Sequence, residues 1–519
     1  MNRSRPLLIA LAALAGAASA RASVAQPGCE RLDAQRCLAL SMQAMGGHDR
    51  LAHISSVRLD VAQHSLLVEQ SYRQAPFIAA YDRLTKVLDF SGARLLLKDH
   101  GLWPEADPDS ASAESDTTVV ATKAAAIVRS DSSDSPAGPA QVDAARMALE
   151  LGPERLLLTA EAAPDLHFEA PEMLRSTPHA VVAFHWRDRP VRVLLNTFNH
   201  LPDAVEITQQ FNDFWFVWGD VDQRIYFDNW KLIGGVVYPT NRVDERNGVA
   251  WSSSQVLDVA FNVALDDKAL AMDPAAAAKS ARSKGWNRTF DDSDHLALAP
   301  GVDLYQGAWN VTLIKQDDGV VVLEVPISPT FTAGVLDKAR HVYPSDPIKA
   351  VLSTSDSWPH VAGVREAVAE KLPVYILDLN RPLLDRMIAA PHLQNPDHLQ
   401  SHPQAPRWTV VSGKVEIGAG ANRLELYPLR GAATERQYMV YFPEHRLLYA
   451  SDTLVIDPKA QKVYDPELTS EVIQAVEREH LRVDTVYAMH QAPAPWSEVT
   501  RMVAAATTAR PSTSIAPSS

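Results

Sequence analysis

Residues 351–365 read Val-Leu-Ser-Thr-Ser-Asp-Ser-Trp-Pro-His-Val-Ala-Gly-Val-Arg. The apolar run Ile348–Leu352 leads into them as a short strand, and the loop that follows offers hydroxyls, one carboxylate and one imidazole before a glycine. Upstream, residues 301–326 hold two alternating apolar runs on either side of Asp317-Asp318-Gly319, the turn chemistry of a hairpin. Residues 331–353 read as a helix followed by the strand that delivers the loop. Downstream, Leu424–Leu429, Gln437–Phe442 and Leu447–Ala450 are short β-type runs, the last two joined by the turn Pro443-Glu444-His445-Arg446. Ser451-Asp452 follows at a strand end, and Val486-Tyr487-Ala488-Met489-His490 is a further apolar strand that finishes on an imidazole.

This order of elements, over roughly residues 300–500, resembles the metallo-β-lactamase superfamily, which writes the loop after the buried strand as Thr-His-x-His-x-Asp-His-x-Gly-Gly. Thr354, His360 and Gly363 match that pattern, Asp452 matches the family's metal-bridging Asp, and His490 matches its last His ligand. Other ligand positions are substituted: Ser355 and Ser357 stand at the two leading His, Pro359 at the Asp, and Ala433, within Arg430-Gly431-Ala432-Ala433-Thr434, at another His. Neutral imidazole and carboxylate are what divalent zinc selects, serine is a poor replacement, and proline has no side-chain donor. The resemblance therefore implies a two-layer sheet fold of αββα type without the standard two-metal centre.

Two readings of the remaining residues stay open. Two His and one carboxylate, here His360, Asp452 and His490, are a recognised set for a single zinc and also for non-haem iron. Alternatively, the two imidazoles are hydrogen-bonded remnants in a cleft and no metal is held, because losing most ligands costs more affinity than the rest supply. Asp356 lies between the two serines, although the family turns that residue away from its metals. Arg430, Glu435 and Arg436 fall beside Ala433, where charged groups would meet an anionic substrate or form a surface ion cluster. Asp378, Asn380 and Arg381 follow an apolar strand and suit either the cleft rim or a solvated turn. His392, His398 and His402 lie among Pro, Asn and Gln and are expected to be a solvated loop cluster.

At 519 residues the chain is too long for one core, so two domains with linkers are expected. A net charge of −14 and no Lys/Arg run argue against nucleic acid or an anionic membrane as partner. Arg3 and Arg5, an apolar run from Leu7 to Ala15 and Ala18-Ser19-Ala20 are the pattern of a cleaved export signal within residues 1–25, placing the mature protein in the periplasm or outside the cell. Cys29 and Cys37 are the only cysteines, and an oxidising compartment would favour closing them into a small loop. No second apolar segment reaches spanning length, so an integral membrane protein is not expected.

Residues 26–273 read as a separate antiparallel unit. Leu38–Met45 is a helix stopped by Gly46-Gly47, Ser56–Leu67 is a strand, and five β-runs with Gly and Asn turns fill 191–262. The order resembles the periplasmic lipoprotein-carrier (LolA-like) half-barrel, whose concave face can hold acyl chains. Residues 105–141, rich in Asp, Ser, Ala and Pro, are expected to form a mobile insertion, residues 274–299 a linker, and residues 503–519 a frayed tail. The expected class is thus α+β: a half-barrel-like sheet domain, then an αββα sandwich over 300–502. Two functions follow, an exported hydrolase-like protein with at most one metal, or a catalytically silent periplasmic binding protein for a lipophilic or small polar ligand.

Overall fold

The computed structural model describes Cys29 and residues 33–68, 79–102, 114–130 and 133–509. The expected export signal lies outside these residues. Alternating apolar positions assemble the first unit as one antiparallel sheet of thirteen strands. The strand Ser56–Leu66 pairs with Ala79–Asp89 on one side and with Val249–Phe261, the middle strand of the sheet, on the other, so the first strand of the unit is closed by its last. The helices Ala34–Ala44, Pro139–Leu151 and Leu156–Glu161 bury their apolar stripes on one face of this sheet, against Leu59, Val61, Leu88, Phe184 and Phe227. The chain leaves the first helix through Gly46, at φ +119°, where an added Cβ would lie 2.4 Å from the Gly235 carbonyl. Cys29 and Cys37 form a disulfide at the start of this helix.

The expected mobile insertion is corrected from residue 114 onward. Glu114–Thr122, Ala126–Arg129 and Asp134–Pro136 are strands of the large sheet, and the helix Pro139–Leu151 begins inside the same stretch. The Asp and Ser content conceals two short apolar runs: Val120 and Ile127 are fully buried with Leu270 and Ala276, and Arg129 grips Asp134 and the carbonyls of Ala269 and Ala271. Residues 103–113 lie outside the described residues. The tail is corrected likewise as far as residue 509, since the last helix spans Trp496–Ala509 with Met502 and Val503 buried; residues 510–519 lie outside the described residues.

The second unit is two sheets face to face. In the first, His295–Ala299, Val302–Tyr305, Val311–Gln316 and Gly319–Leu323 run antiparallel, and Gly319–Leu323, Ile348–Leu352, Pro373–Leu377 and Arg407–Val411 run parallel. The second holds Val415–Ile417, Leu424–Pro428, Tyr438–Phe442, Leu447–Tyr449, Thr485–Ala488 and Gln491–Pro495. Leu304, Leu352, Leu426, Val440 and Phe442 fill the space between the sheets. Helices cover both outer faces, including Pro329–Val342 on one and Pro466–Arg478 on the other, which makes the layer order αββα. No helix among the described residues is long and apolar enough to cross a membrane. The units meet through aromatic packing: Trp215 and Trp218 of the first lie edge-on to Trp358 of the second, with centroids 5.0 and 5.4 Å apart.

Candidate metal centre

The strands Gly319–Leu323, Ile348–Leu352, Leu447–Tyr449 and Thr485–Ala488 all release their chain toward one edge of the sandwich, and the loops that follow carry the polar residues. A crevice at the carboxyl ends of parallel strands is where backbone leaves its ladder and side chains are free to converge. Backbone bonds set the alignment. Met489 N–H donates to the Ser451 carbonyl at 2.8 Å, which brings His490 beside Asp452. Ile327 N–H donates to the Pro359 carbonyl at 2.7 Å, which pins the short helix Trp358–Val361 under the same edge. Pro359, at the first turn of that helix, suits its fixed φ and missing N–H to a helix start.

Three side chains meet there. His360 Nε2 lies 3.4 Å from one Asp452 oxygen and His490 Nε2 lies 3.3 Å from the other, and the two imidazole centroids are 5.3 Å apart. Their ligand-type atoms all fall within 4.8 Å of one another, the separation that a single ion bridges. His490 Nδ1–H donates to the Ala308 carbonyl at 2.5 Å, which fixes the tautomer and leaves Nε2 its lone pair. His360 is 2% exposed; burial, with the neighbouring His490 adding to it, holds its pKa well below the usual imidazole value, so the ring is neutral. Its Nδ1 is buried without a partner, so, unlike His490, this ring has no tether on the side away from Asp452. Burial pushes the Asp452 carboxyl up to about 6, His490 opposing the shift and Asp465 adding to it. The Asp452 N–H donates to Gln437 Oε1 at 2.9 Å. The donor set of two imidazoles and a carboxylate fits a single zinc or iron ion.

The other sequence candidates fall around this point without joining it. Ser355 and Ser357 hydrogen-bond within their own loop at 3.2 Å, and Asp356 is buried with Arg436 Nε 4.0 Å away. Arg430 donates to both oxygens of Asp378 at 2.9 Å, while Arg436 donates to the Leu379 carbonyl and receives Glu435 at 3.8 Å. Asn380 closes the same rim by donating to the Arg436 carbonyl at 2.9 Å, and Arg381 pairs with Asp385 on its own helix. The Ala433 position is held from behind by Glu471, which accepts from Ala433 N–H and from the Thr434 hydroxyl. His392 corrects the expectation of a solvated cluster: it is 5% exposed beside the Arg365–Asp397 pair, and burial lowers its pKa to about 4. His398 instead pairs with Glu366 at 3.0 Å.

Four supporting residues carried no motif: Ala308, Gln437, Glu471 and Glu324. Only Glu324 left a trace in the sequence, as one carboxyl inside the apolar run Val-Leu-Glu-Val at 322–325. It is fully buried behind the centre, its Oε1 accepting from Thr354 N–H, the Thr354 hydroxyl and Tyr449 OH. The Thr354 hydroxyl in turn lies 2.7 Å from Ser451 Oγ, next to Asp452.

No family model and no curated protein matches the chain. Solved structures that it is similar to include the inverting sec-alkylsulfatase Pisa1 from Pseudomonas sp., 17% identical at a TM-score of 0.30, covering 40% of each chain. The chain thus spans about two fifths of the length of that sulfatase. It is also similar to a metallo-β-lactamase from Pontibacter korlensis, 16% identical at a TM-score of 0.32 over 40% of this chain and 96% of that one. A LolA superfamily protein from Nitrosomonas europaea is 15% identical at a TM-score of 0.31, over 47% of this chain and 99% of that one.

Proposed function

We propose that the protein is an exported, hydrolase-like protein with one metal, held by His360, Asp452 and His490. The convergence of their three ligand atoms within 4.8 Å carries this reading, and the tether of His490 to Ala308 supports it, because an imidazole fixed through Nδ1 presents Nε2 ready for an ion. A divalent ion with open positions supplies an acidified water for attack on an ester, lactone or amide carbonyl. The chain's own part is to hold the His360 and His490 imidazoles and the Asp452 carboxylate at one point, and to rim the cleft with Arg430 and Arg436 near a substrate's negative charge. Pro359 offers no base where the related pattern has an Asp, so turnover is expected to be slow. The disulfide of Cys29 and Cys37 supports an oxidising compartment.

A second reading, a catalytically silent binding protein, is favoured by the loss of imidazoles at Ser355, Ser357 and Ala433 and by a large cavity in the first unit. Metal analysis separates the two. The expected result is close to one equivalent of zinc or iron in purified protein and loss of most of it in His490→Ala, since two ligands hold an ion poorly against water. Wild-type protein with less than about a tenth of an equivalent after zinc or iron reconstitution, where a genuine site would fill, removes the enzyme reading.

A further inference from the structure

A line of half-buried aromatic rings runs in contact away from His490. Trp309 stands edge-on to the His490 imidazole with centroids 5.5 Å apart, and Trp286 stands edge-on to Trp309 at 5.5 Å. Phe214 and Phe216 lie against Trp286 at 5.3 and 6.4 Å. The rings come from three places in the chain: the turn Phe214–Trp218 of the first unit, the turn Gly285–Asn287 between the units, and the loop joining the strands Val302–Tyr305 and Val311–Gln316. Each packs partly on the core and stays partly open to solvent. Single exposed rings need no explanation, whereas a contiguous apolar patch marks a place of binding.

A cation stands over this patch. Arg288 Cζ lies 5.4 Å from the Trp309 ring centroid, within cation–π range, and the guanidinium has no hydrogen-bond or ion-pair partner among the described residues. Burial alone acts on its pKa, downward, as expected of a cation without a counter-charge. One indole thus separates the guanidinium from the imidazole of His490. A guanidinium fork takes a carboxylate through two parallel bonds, and indole and phenyl rings favour a flat ring over a saturated one through stacked and edge-on contacts. A benzene ring with a carboxylate at one end and an ester at the other is about as long as the indole it would lie along. With its carboxylate on Arg288, such a molecule leaves the ester beside His490.

We propose that this wall, shared between the two units, binds an aromatic carboxylate, its ring against Trp286 and Trp309 and its charge on Arg288. That the bound molecule is a substrate rests on the one-metal reading of His360, Asp452 and His490; that it binds does not.

Titration calorimetry of the full chain, chelator-treated and zinc-loaded, with naphthoate, naphthalenemethanol and the saturated decahydronaphthoate tests this. Naphthoate is expected to saturate one site in both preparations, with the alcohol at least about ten-fold and the saturated acid about five-fold weaker. Arg288→Met should weaken naphthoate about ten-fold and leave the alcohol within about two-fold. Trp286→Leu should weaken both about five-fold. Should Trp286→Leu lower the melting temperature, Arg288→Met, at a side chain with no ion pair to lose, carries the test. A protein that takes up no zinc but binds naphthoate in this way refutes the one-metal reading and upholds the aromatic site. The proposal is overturned if naphthoate does not saturate, if the alcohol or the saturated acid binds as tightly, or if Arg288→Met leaves naphthoate binding unchanged.

Discussion

Glu324 shows what a single residue contributes behind the candidate centre. Burial pushes its carboxyl up to about 8, against the pull of the Thr354 and Tyr449 hydrogen bonds. A carboxyl raised on folding stabilises fully below its unfolded value, and that contribution is lost as pH rises through the folded one. Wild type should therefore lose on the order of 1.4 kcal/mol per pH unit, relative to Glu324→Gln, from about pH 5 to about pH 8. Denaturant unfolding of both proteins at several pH values measures this, and parallel curves would count against an ionising Glu324. His392 runs the other way. With a pKa near 4 in the fold, its contribution is present above the usual imidazole value and fades as pH falls toward 4. His392→Gln should flatten the acid side of the stability profile between those limits. The same scale records backbone strain, since Glu324, Ile327, Arg430 and Ser451, all non-glycine, have φ between 57° and 73° in the loops around the centre.

Among the elements, the short helices after residue 357 decide where His360 sits. Gly363 was legible as a motif glycine, but its reason is tertiary: its φ is ordinary, and a Cβ there would lie 1.8 Å from Thr332 Oγ1 and 2.5 Å from the Val325 carbonyl. The glycine lets the turn lie flat on the helix Pro329–Val342, whose own start is capped by Ser328 Oγ accepting from Phe331 N–H at 3.1 Å. Gly363→Ala should cost roughly 1–3 kcal/mol by overpacking, and displace His360 enough to lower metal occupancy. Chemical unfolding and metal content read the two effects, and a variant as stable and as metal-loaded as wild type would sink the argument. The helix and strand over 329–352, the hairpin at Asp317-Asp318-Gly319 and the turn at 443–446 were legible because local periodicity and turn chemistry specify them. The strands within 114–136 were not, because composition averaged over a long window hides two short apolar runs that gain their burial only from distant partners.

For the whole molecule, the proposed boundary at residues 274–299 meets a shared core. Trp215, Val217 and Val221 of the first unit cluster with Trp358, Val361 and Leu383 of the second. Protease should nick the exposed stretch around 281–294, and the two fragments should stay associated in native buffer and part in denaturant. Fragments that separate in native buffer would show that the aromatic seam contributes little. Trp358→Ala, which empties that seam, should split a single calorimetric transition into two.

The chain by itself determined the order of strands and helices in the second unit and the antiparallel character of the first, because each rests on residues close together in sequence. Only the tertiary structure decided the rest. His360, Asp452 and His490 are far apart along the chain, and their convergence depends on two parallel strand pairs and on the bond from Met489 to Ser451. The neutral His360 and the raised Glu324 are likewise products of burial, which no residue carries in its own identity and which packing alone creates.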